Sequence, residues 1–191
     1  MNAADPVLSA GWAAAETAEA RSAPRATLRW QKALRMVSII DEYRTIISRA
    51  GWIDRSTRGR IRLEGADAGT FLQALLTNDV LRLQRGEGCH AAYLTPQGRM
   101  LADLEIYRRP DALLADVTPG AASALAVRLD TLVFSEDVRI ADVSAEWTEV
   151  EVVGADAEAR VARLTGLALD SLRALPELAQ QDWAGGFVVC G

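Results

Sequence analysis

The stretch Tyr93-Leu-Thr-Pro-Gln-Gly-Arg-Met-Leu-Ala-Asp103 predicts two antiparallel strands joined by a tight turn. Pro96 pre-sets the φ angle of the second position of a type I turn, and glycine is favoured at the fourth position, where Gly98 lies. The second strand carries Asp103 among apolar residues. Aspartate is depleted from strands, and a buried carboxylate costs free energy unless it is paired. The hairpin therefore either exposes Asp103 to solvent or uses it as one wall of a site.

The register of this hairpin decides which residues lie beside Asp103. A two-residue loop would pair Thr95 with Gly98, and counting back from that pair places the only histidine, His90, directly across from Asp103. Directly opposed residues have Cβ atoms about 5 Å apart, which is close enough for a hydrogen bond or an ion pair. A slip of one residue would instead send Asp103 to the core face.

Alternation along the second strand separates two faces. One face is apolar and is expected to belong to the core: Met100, Ala102, Leu104 and Ile106. The other face is mixed, as a ligand cavity or a half-wet surface would be: Leu101, Asp103, Glu105 and Tyr107. If His90 and Asp103 form an exposed pair, the pair is worth only a few tenths of a kcal/mol. Spacing alone does not decide whether the two residues form such a surface pair or part of a ligand site.

The composition excludes several classes of protein. The chain has 191 residues, of which 50% are apolar, and a net charge of −5. It lacks the basic footprint of a DNA-binding protein, the apolar run of a membrane span and the pattern of a signal peptide. Two separated cysteines, Cys89 and Cys190, and one histidine offer neither a metal site nor a disulfide framework. We expect a cytoplasmic protein without a metal, a direct DNA partner or a membrane partner.

Hydrophobic spacing predicts an α+β fold with a mainly antiparallel sheet and packed helices. Helices are predicted over 36–51, 67–76, 119–133 and 156–164, and strands over 60–64, 89–94, 100–107, 112–117, 138–143, 149–153 and 187–190. The last strand begins just before the C-terminus, so we expect an incomplete domain with an unpaired sheet edge and poor solubility or self-association. Residues 1–35 are predicted to be a poorly specified N-terminal extension that precedes a natural start at Met36. The alternative is an additional helix over 26–35.

An internal sequence repeat predicts a duplicated strand–turn–helix unit. The segments Ile61–Ala68 (IRLEGADA) and Val150–Ala157 (VEVVGADA) each precede a predicted helix. Gly65 and Gly154 would supply the sharp turns, and the aspartate two residues after each would cap the helix. Neither segment contains a dinucleotide or P-loop fingerprint, so neither predicts a phosphate site.

Five segments, taken together and in this order, resemble the aminomethyltransferase folate-binding superfamily. They are 53–56 (IDRS), 61–67 (IRLEGAD), 71–80 (FLQALLTNDV), Gly86 and 94–103 (LTPQGRMLAD). The superfamily includes the glycine-cleavage T-protein and the YgfZ-type folate-binding proteins of iron–sulfur cluster maintenance. The segments FLQALLTNDV and LTPQGR look most like the YgfZ branch. The resemblance covers about 37–191, so residues 36–191 are expected to be the N-terminal part of a folate-binding domain.

The resemblance implies a tetrahydrofolate cofactor and a set of site residues. Asp103 matches a T-protein aspartate that positions or protonates the folate and substrate, which makes it the candidate catalytic residue. Tyr107 matches a position on the pterin side, and His90 falls where the T-protein has a tyrosine. Ala102 stands where the T-protein has an aspartate, and Phe187–Gly191 does not contain the cysteine signature of YgfZ-type proteins.

These matches and departures leave three hypotheses. The first is a YgfZ-type protein that binds tetrahydrofolate and supports iron–sulfur proteins. The second is an aminomethyltransferase enzyme that uses Asp103. The third is an inactive or partner-dependent fragment.

Overall fold

The computed structural model of the protein describes residues 8–13 and 39–191. The elements in chain order are β1 (Leu8–Ala13), α1 (Ile39–Ser48), β2 (Gly51–Asp54), β3 (Gly59–Glu64), α2 (Ala68–Leu75), β4 (Gly88–Leu94), β5 (Met100–Arg108), β6 (Leu113–Val117), α3 (Ala122–Asp130), β7 (Arg139–Asp142), β8 (Trp147–Val153), α4 (Ala157–Thr165), α5 (Leu169–Arg173), β9 (Gln180–Trp183) and β10 (Gly186–Cys190). Every strand pairing between these elements is antiparallel. The predicted α+β class with a mainly antiparallel sheet is confirmed.

The strands form two five-stranded sheets rather than one. The first sheet has the order β2-β8-β1-β10-β9, and the second has the order β4-β5-β6-β3-β7. The prediction that the last strand lacks partners is wrong, because β10 pairs with β1 on one side and with β9 on the other. The sequence pattern missed both neighbours, so the expected free edge at β10 does not exist. The solubility prediction drawn from it has no structural basis.

The two sheets are built from the same unit, which confirms the predicted duplication. Each unit runs strand, glycine turn, helix, hairpin, strand, helix and edge strand, and α5 is an additional helix in the copy that starts at β8. One copy is continuous from β3 to β7. The other starts at β8 and takes its last three elements, β1, α1 and β2, from the beginning of the chain. Each sheet therefore depends on segments that are distant in sequence.

The glycine turns of the two units have nearly the same backbone geometry. Gly65 and Gly154 have φ angles of 115° and 117°, which disfavour any residue with a Cβ atom. A Cβ at Gly65 would overlap the carbonyl oxygen of Asp137, and one at Gly154 would overlap that of Ile46. The predicted caps are wrong, because the aspartates before α2 and α4 make no side-chain capping hydrogen bond. The carboxylate of Asp67 instead accepts a hydrogen bond from the backbone N–H of Asp137 at 2.8 Å.

The core has three parts. Two of them lie between a sheet and its helices, and the third lies between the two sheets. One part lies between α2, α3 and the second sheet, and it includes Leu63, Leu72, Leu104, Ile106, Leu125 and Leu129. Another lies between α4, α5 and the first sheet, and it includes Val152, Val161, Leu172 and Val188. The third joins the two sheets through their remaining faces and contains Tyr107, Leu114, Val143, Phe187 and Val189. Side chains on that face of β5 thus point toward the other sheet.

The predictions for the N-terminal region are tested only in part. The boundary at residues 35 and 36, the start at Met36 and the alternative helix over 26–35 lie outside the described residues. Within the predicted extension, the backbone of β1 lies between β8 and β10. Among the described residues, no helix has the length and apolar character needed to cross a membrane.

Candidate functional site

The hairpin of β4 and β5 has a longer loop than the sequence predicted. The backbone N–H of Thr95 donates to the carbonyl of Arg99 at 2.8 Å, and that of Gly98 donates to Thr95 at 2.9 Å. Gly98 has a φ of 78°, so it occupies the left-handed position of a three-residue hairpin loop. A bulge follows between Tyr93 and Leu94, which shifts the register again.

The predicted register is therefore wrong. Asp103 lies opposite Ala92, and His90 lies opposite Glu105. The added loop residue and the bulge together shift the register by two positions. Because side chains alternate with a period of two, Asp103 stays on the same face as His90. The predicted core face is wrong at one position, since the Met100 side chain beside the bulge is 66% exposed.

His90 and Asp103 are in contact despite the changed register. The Nε2 atom of His90 lies 2.6 Å from Oδ1 of Asp103, as a diagonal pair across the two strands, and both side chains are more than half exposed. The backbone under this pair is fixed from the edge of β4. The side-chain amide of Asn78 donates to the carbonyl of His90 at 2.8 Å, and the hydroxyl of Thr77 accepts from the N–H of Ala92 at 2.9 Å. The arrangement presents a hydrogen-bonded imidazole and carboxylate to solvent.

Tyr107 shares the face of Asp103 but lies at its opposite end. Four residues of strand separate them by about 13 Å, and Tyr107 is buried between the sheets. Its hydroxyl donates a hydrogen bond of 2.6 Å to Glu105. Burial, followed by the charge of Glu105, raises the pKa of Tyr107 well above its usual value, so the hydroxyl remains a donor. Glu105, which the sequence analysis did not select, thus stands between the two predicted site residues.

A network of charged side chains, of which Arg60 and Asp116 are buried, begins at the carboxylate of Glu105. Arg58 forms an ion pair with Asp116 and lies 4.0 Å from Glu105. Arg60 pairs with Glu149 and lies 3.5 Å from Asp116. The sequence analysis missed this network, although Asp116 carries a recognisable signal. It is the only charged residue in β6, whose five residues are all buried.

The network contains more acidic than basic groups. Three carboxylates, from Glu105, Asp116 and Glu149, face two guanidinium groups. Burial raises the pKa of Glu149 to about 7, with a further contribution from Asp116 and opposition from Arg60 and Arg58. Burial likewise raises the pKa of Asp116, against the effect of the two arginines. Glu149 therefore exchanges a proton near neutral pH.

A cavity of about 210 Å³ opens beside the network. It is lined by Arg55, Arg58, Glu105, Tyr107, Glu149, Glu151, Leu178, Val189 and Gly191. A second, smaller cavity between the sheets is lined by Asp116 and Phe187, and it shares Tyr107, Glu149 and Val189 with the first. A larger groove of about 540 Å³ lies against α2 and contains none of the predicted site residues. The face of β5 thus runs from the exposed pair of His90 and Asp103, past Glu105, into the cavity lined by Tyr107.

Residues 7–183 match the family described as the GCVT N-terminal domain. Among curated proteins, the aminomethyltransferase of Bacillus velezensis is 29% identical over 156 residues, which are 82% of this chain and 43% of that protein. The aminomethyltransferase of Rubrobacter xylanophilus is 31% identical over 129 residues, which are 68% of this chain and 35% of that protein. The chain spans less than half the length of these relatives.

A solved structure has the same fold. The glycine cleavage system aminomethyltransferase T from Bartonella henselae superimposes with a TM-score of 0.67 at 21% sequence identity, over 80% of this chain and 45% of that one. At this identity the likeness concerns the fold alone. Together with the family match over most of the sequence, it shows that the chain belongs to the GCVT N-terminal domain family and has the aminomethyltransferase-like folate-binding fold.

Proposed function

We propose that the protein binds tetrahydrofolate along the face of β5 that carries Asp103 and Tyr107, with the pterin ring in the cavity between the sheets. The single observation that carries the proposal is the continuity of that face. The carboxylate of Asp103 lies at its open end, and the cavity with Tyr107 lies at its closed end. A ligand with a flat bicyclic head and an extended amine-bearing middle matches this order of a closed cavity followed by an open polar wall.

The chemistry of the cavity fits the polar edge of a pterin. The edge presents an amino group and a ring N–H, which are donors, beside a carbonyl acceptor. Glu105 and Glu149 would accept from the donors, and the guanidinium of Arg58 would donate to the carbonyl. The excess of carboxylates over guanidinium groups favours a ligand that brings donors. The ring of Tyr107 would contact the apolar face of the pterin.

The open end would supply the group that handles protons. In this proposal the carboxylate of Asp103 lies beside the folate amine that carries the one-carbon unit. The imidazole of His90, 2.6 Å away, would hold the carboxylate in position. The activity would then be aminomethyl transfer, the activity for which the curated relatives are named.

A second candidate is a YgfZ-type protein that binds tetrahydrofolate without transferring a one-carbon unit and supports iron–sulfur proteins. Ala102 favours it, because the T-protein has an aspartate at this position and this chain offers only Asp103. The two candidates share the folate site and differ in chemistry. Binding and transfer therefore need to be measured separately.

Tetrahydrofolate binding should be measured by calorimetry under anaerobic conditions on the chain and on three variants. We expect Asp103→Asn and Glu105→Gln each to weaken binding about tenfold, which corresponds to about 1.4 kcal/mol. Asp130→Asn, an exposed carboxylate on α3, is the matched control and should bind like the wild type. A wild-type chain that does not bind would refute the proposal. Transfer of a labelled carbon from an added aminomethyl donor to the bound folate, with release of the donor's nitrogen as ammonia, would select the enzyme. Binding without transfer would select the YgfZ-type candidate.

A further inference from the structure

Helix α1 is amphipathic but buries none of its residues. Three of its apolar side chains, Ile39, Tyr43 and Ile47, are 83%, 64% and 58% exposed. They recur at intervals of four residues and form one stripe along the helix, called here the α1 stripe. The counterpart of α1 in the duplicated unit, α3, instead buries Ala122, Leu125, Ala126 and Leu129. A ten-residue helix is marginal on its own, and an exposed apolar stripe marks an interaction surface.

The charged residues beside the α1 stripe are complementary to the same residues of a second, antiparallel α1 helix. Glu42 and Arg49 are seven positions apart, so they project from the same side of the helix two turns from each other. Arg49 continues the last turn, since its backbone N–H donates to the carbonyl of Thr45 at 2.8 Å. Neither charge is ion-paired within the part of the chain that the structure describes, whereas Asp41 lies 3.8 Å from Arg44. Glu42 and Arg49 are thus available to a partner.

We propose that the α1 stripe is the interface for a second copy of this chain, with the two α1 helices packed antiparallel about a two-fold axis. In that arrangement Glu42 of one copy lies beside Arg49 of the other, and the same contact is repeated across the axis. A parallel pair would instead place Glu42 and Arg49 of the two copies on opposite flanks of the interface, where they do not meet. Tyr43 and Ile47 of the two copies meet between the two ion pairs, and Ile39 lies outside them. A pair of ten-residue helices buries less than a standard interface, so the association is reversible and depends on concentration.

The test is a charge exchange measured by sedimentation equilibrium from about 1 to 200 μM, since small interfaces associate at micromolar concentrations or above. We expect the wild type to show a monomer–dimer equilibrium. Glu42→Arg and Arg49→Glu should each weaken association at least tenfold, because each places like charges together. The double variant, Glu42→Arg with Arg49→Glu, should return to within about threefold of the wild type.

Apolar variants test the stripe itself. Ile47→Lys should abolish association, whereas Val127→Lys, at an exposed position on α3, should leave it unchanged. Circular dichroism of each variant confirms that it remains folded. A wild-type chain that stays monomeric throughout would overturn the proposal. So would a dimer that the single charge changes do not weaken, or a double variant that fails to recover association.

Discussion

The polar groups at the two ends of one face of β5 differ in their exposure to solvent. At the closed end, Arg60 and Asp116 are nearly inaccessible, and every charge of the network has a partner. At the open end, His90 and Asp103 touch each other while remaining 62% and 52% exposed. Arg60, Asp116 and Glu149 of the closed end come from β3, β6 and β8, and the side chains of the open end come from β4 and β5. We therefore expect substitutions at the closed end to change the stability of the protein, and substitutions at the open end to change ligand binding with little effect on stability.

The largest expected effect comes from breaking the closed end. Arg60→Ala should lower the free energy of unfolding by about 3–5 kcal/mol, because it leaves the buried Glu149 carboxylate without its ion-pair partner. Urea denaturation followed by circular dichroism measures the loss. Arg62→Ala is the matched control. Its side chain comes from the same strand, is 36% exposed and pairs with exposed carboxylates, so it should cost no more than about 1 kcal/mol. Equal losses would contradict the comparison.

A pH series tests the closed end without removing a side chain. The pKa of Glu149 in the folded protein, about 7, exceeds its ordinary value of 4.5, so the folded state holds the proton more tightly than the unfolded chain does. The resulting stability is present below pH 4.5 and is lost as pH rises through 7. We expect the wild type to lose about 2 kcal/mol of unfolding free energy between roughly pH 5 and pH 8. Glu149→Gln should remove this dependence, and urea midpoints that change equally in both proteins would contradict the assignment.

The boundary between the two ends is tested at Tyr107. Tyr107→Phe removes the hydrogen bond to the Glu105 carboxylate and should lower the free energy of unfolding by about 1.5 kcal/mol, since a bond to a charged group is worth more than a neutral one. Tyr43→Phe alters an exposed tyrosine on α1 and should change stability by less than about 0.5 kcal/mol. Chemical denaturation of both variants provides the measurement. If both variants are equally stable, the Tyr107 hydroxyl contributes nothing.

The fold features that the sequence predicted are those set by local patterns. The hairpin around Pro96, the helix spacing of α1 and the turns at Gly65 and Gly154 each depend on a few neighbouring residues, and all are present in the structure. The register of the hairpin was wrong because the extra loop residue, Gly98, and the bulge after it each add one position. Alternation preserved the face of Asp103 only because these two shifts sum to an even number.

The closed end could not be predicted, because its partners come from distant segments. Arg60 meets Asp116 from β6 and Glu149 from β8, and no local pattern indicates that β3, β6 and β8 converge. The pairing of β10 could not be predicted for the same reason, because its partner β1 comes from the opposite end of the chain. A charged residue in a fully buried strand, Asp116, was the one local signal available. Like Asp103, Asp116 is a carboxylate within a strand, and its burial costs free energy unless the carboxylate is paired.

The smallest effect on stability is expected at the open end. Asp103→Asn should change the free energy of unfolding by less than about 0.5 kcal/mol, because an exposed pair gains little from its charges. The effect should appear only when tetrahydrofolate is added. At a concentration 100 times its dissociation constant, the ligand stabilises the wild type by about 2.7 kcal/mol, and a tenfold weaker variant gains about 1.4 kcal/mol. Thermal unfolding of both proteins with and without the ligand measures the difference. If Asp103→Asn destabilises the free protein as much as Arg60→Ala, then Asp103 belongs to the framework that holds the sheets, and the contrast between the two ends disappears.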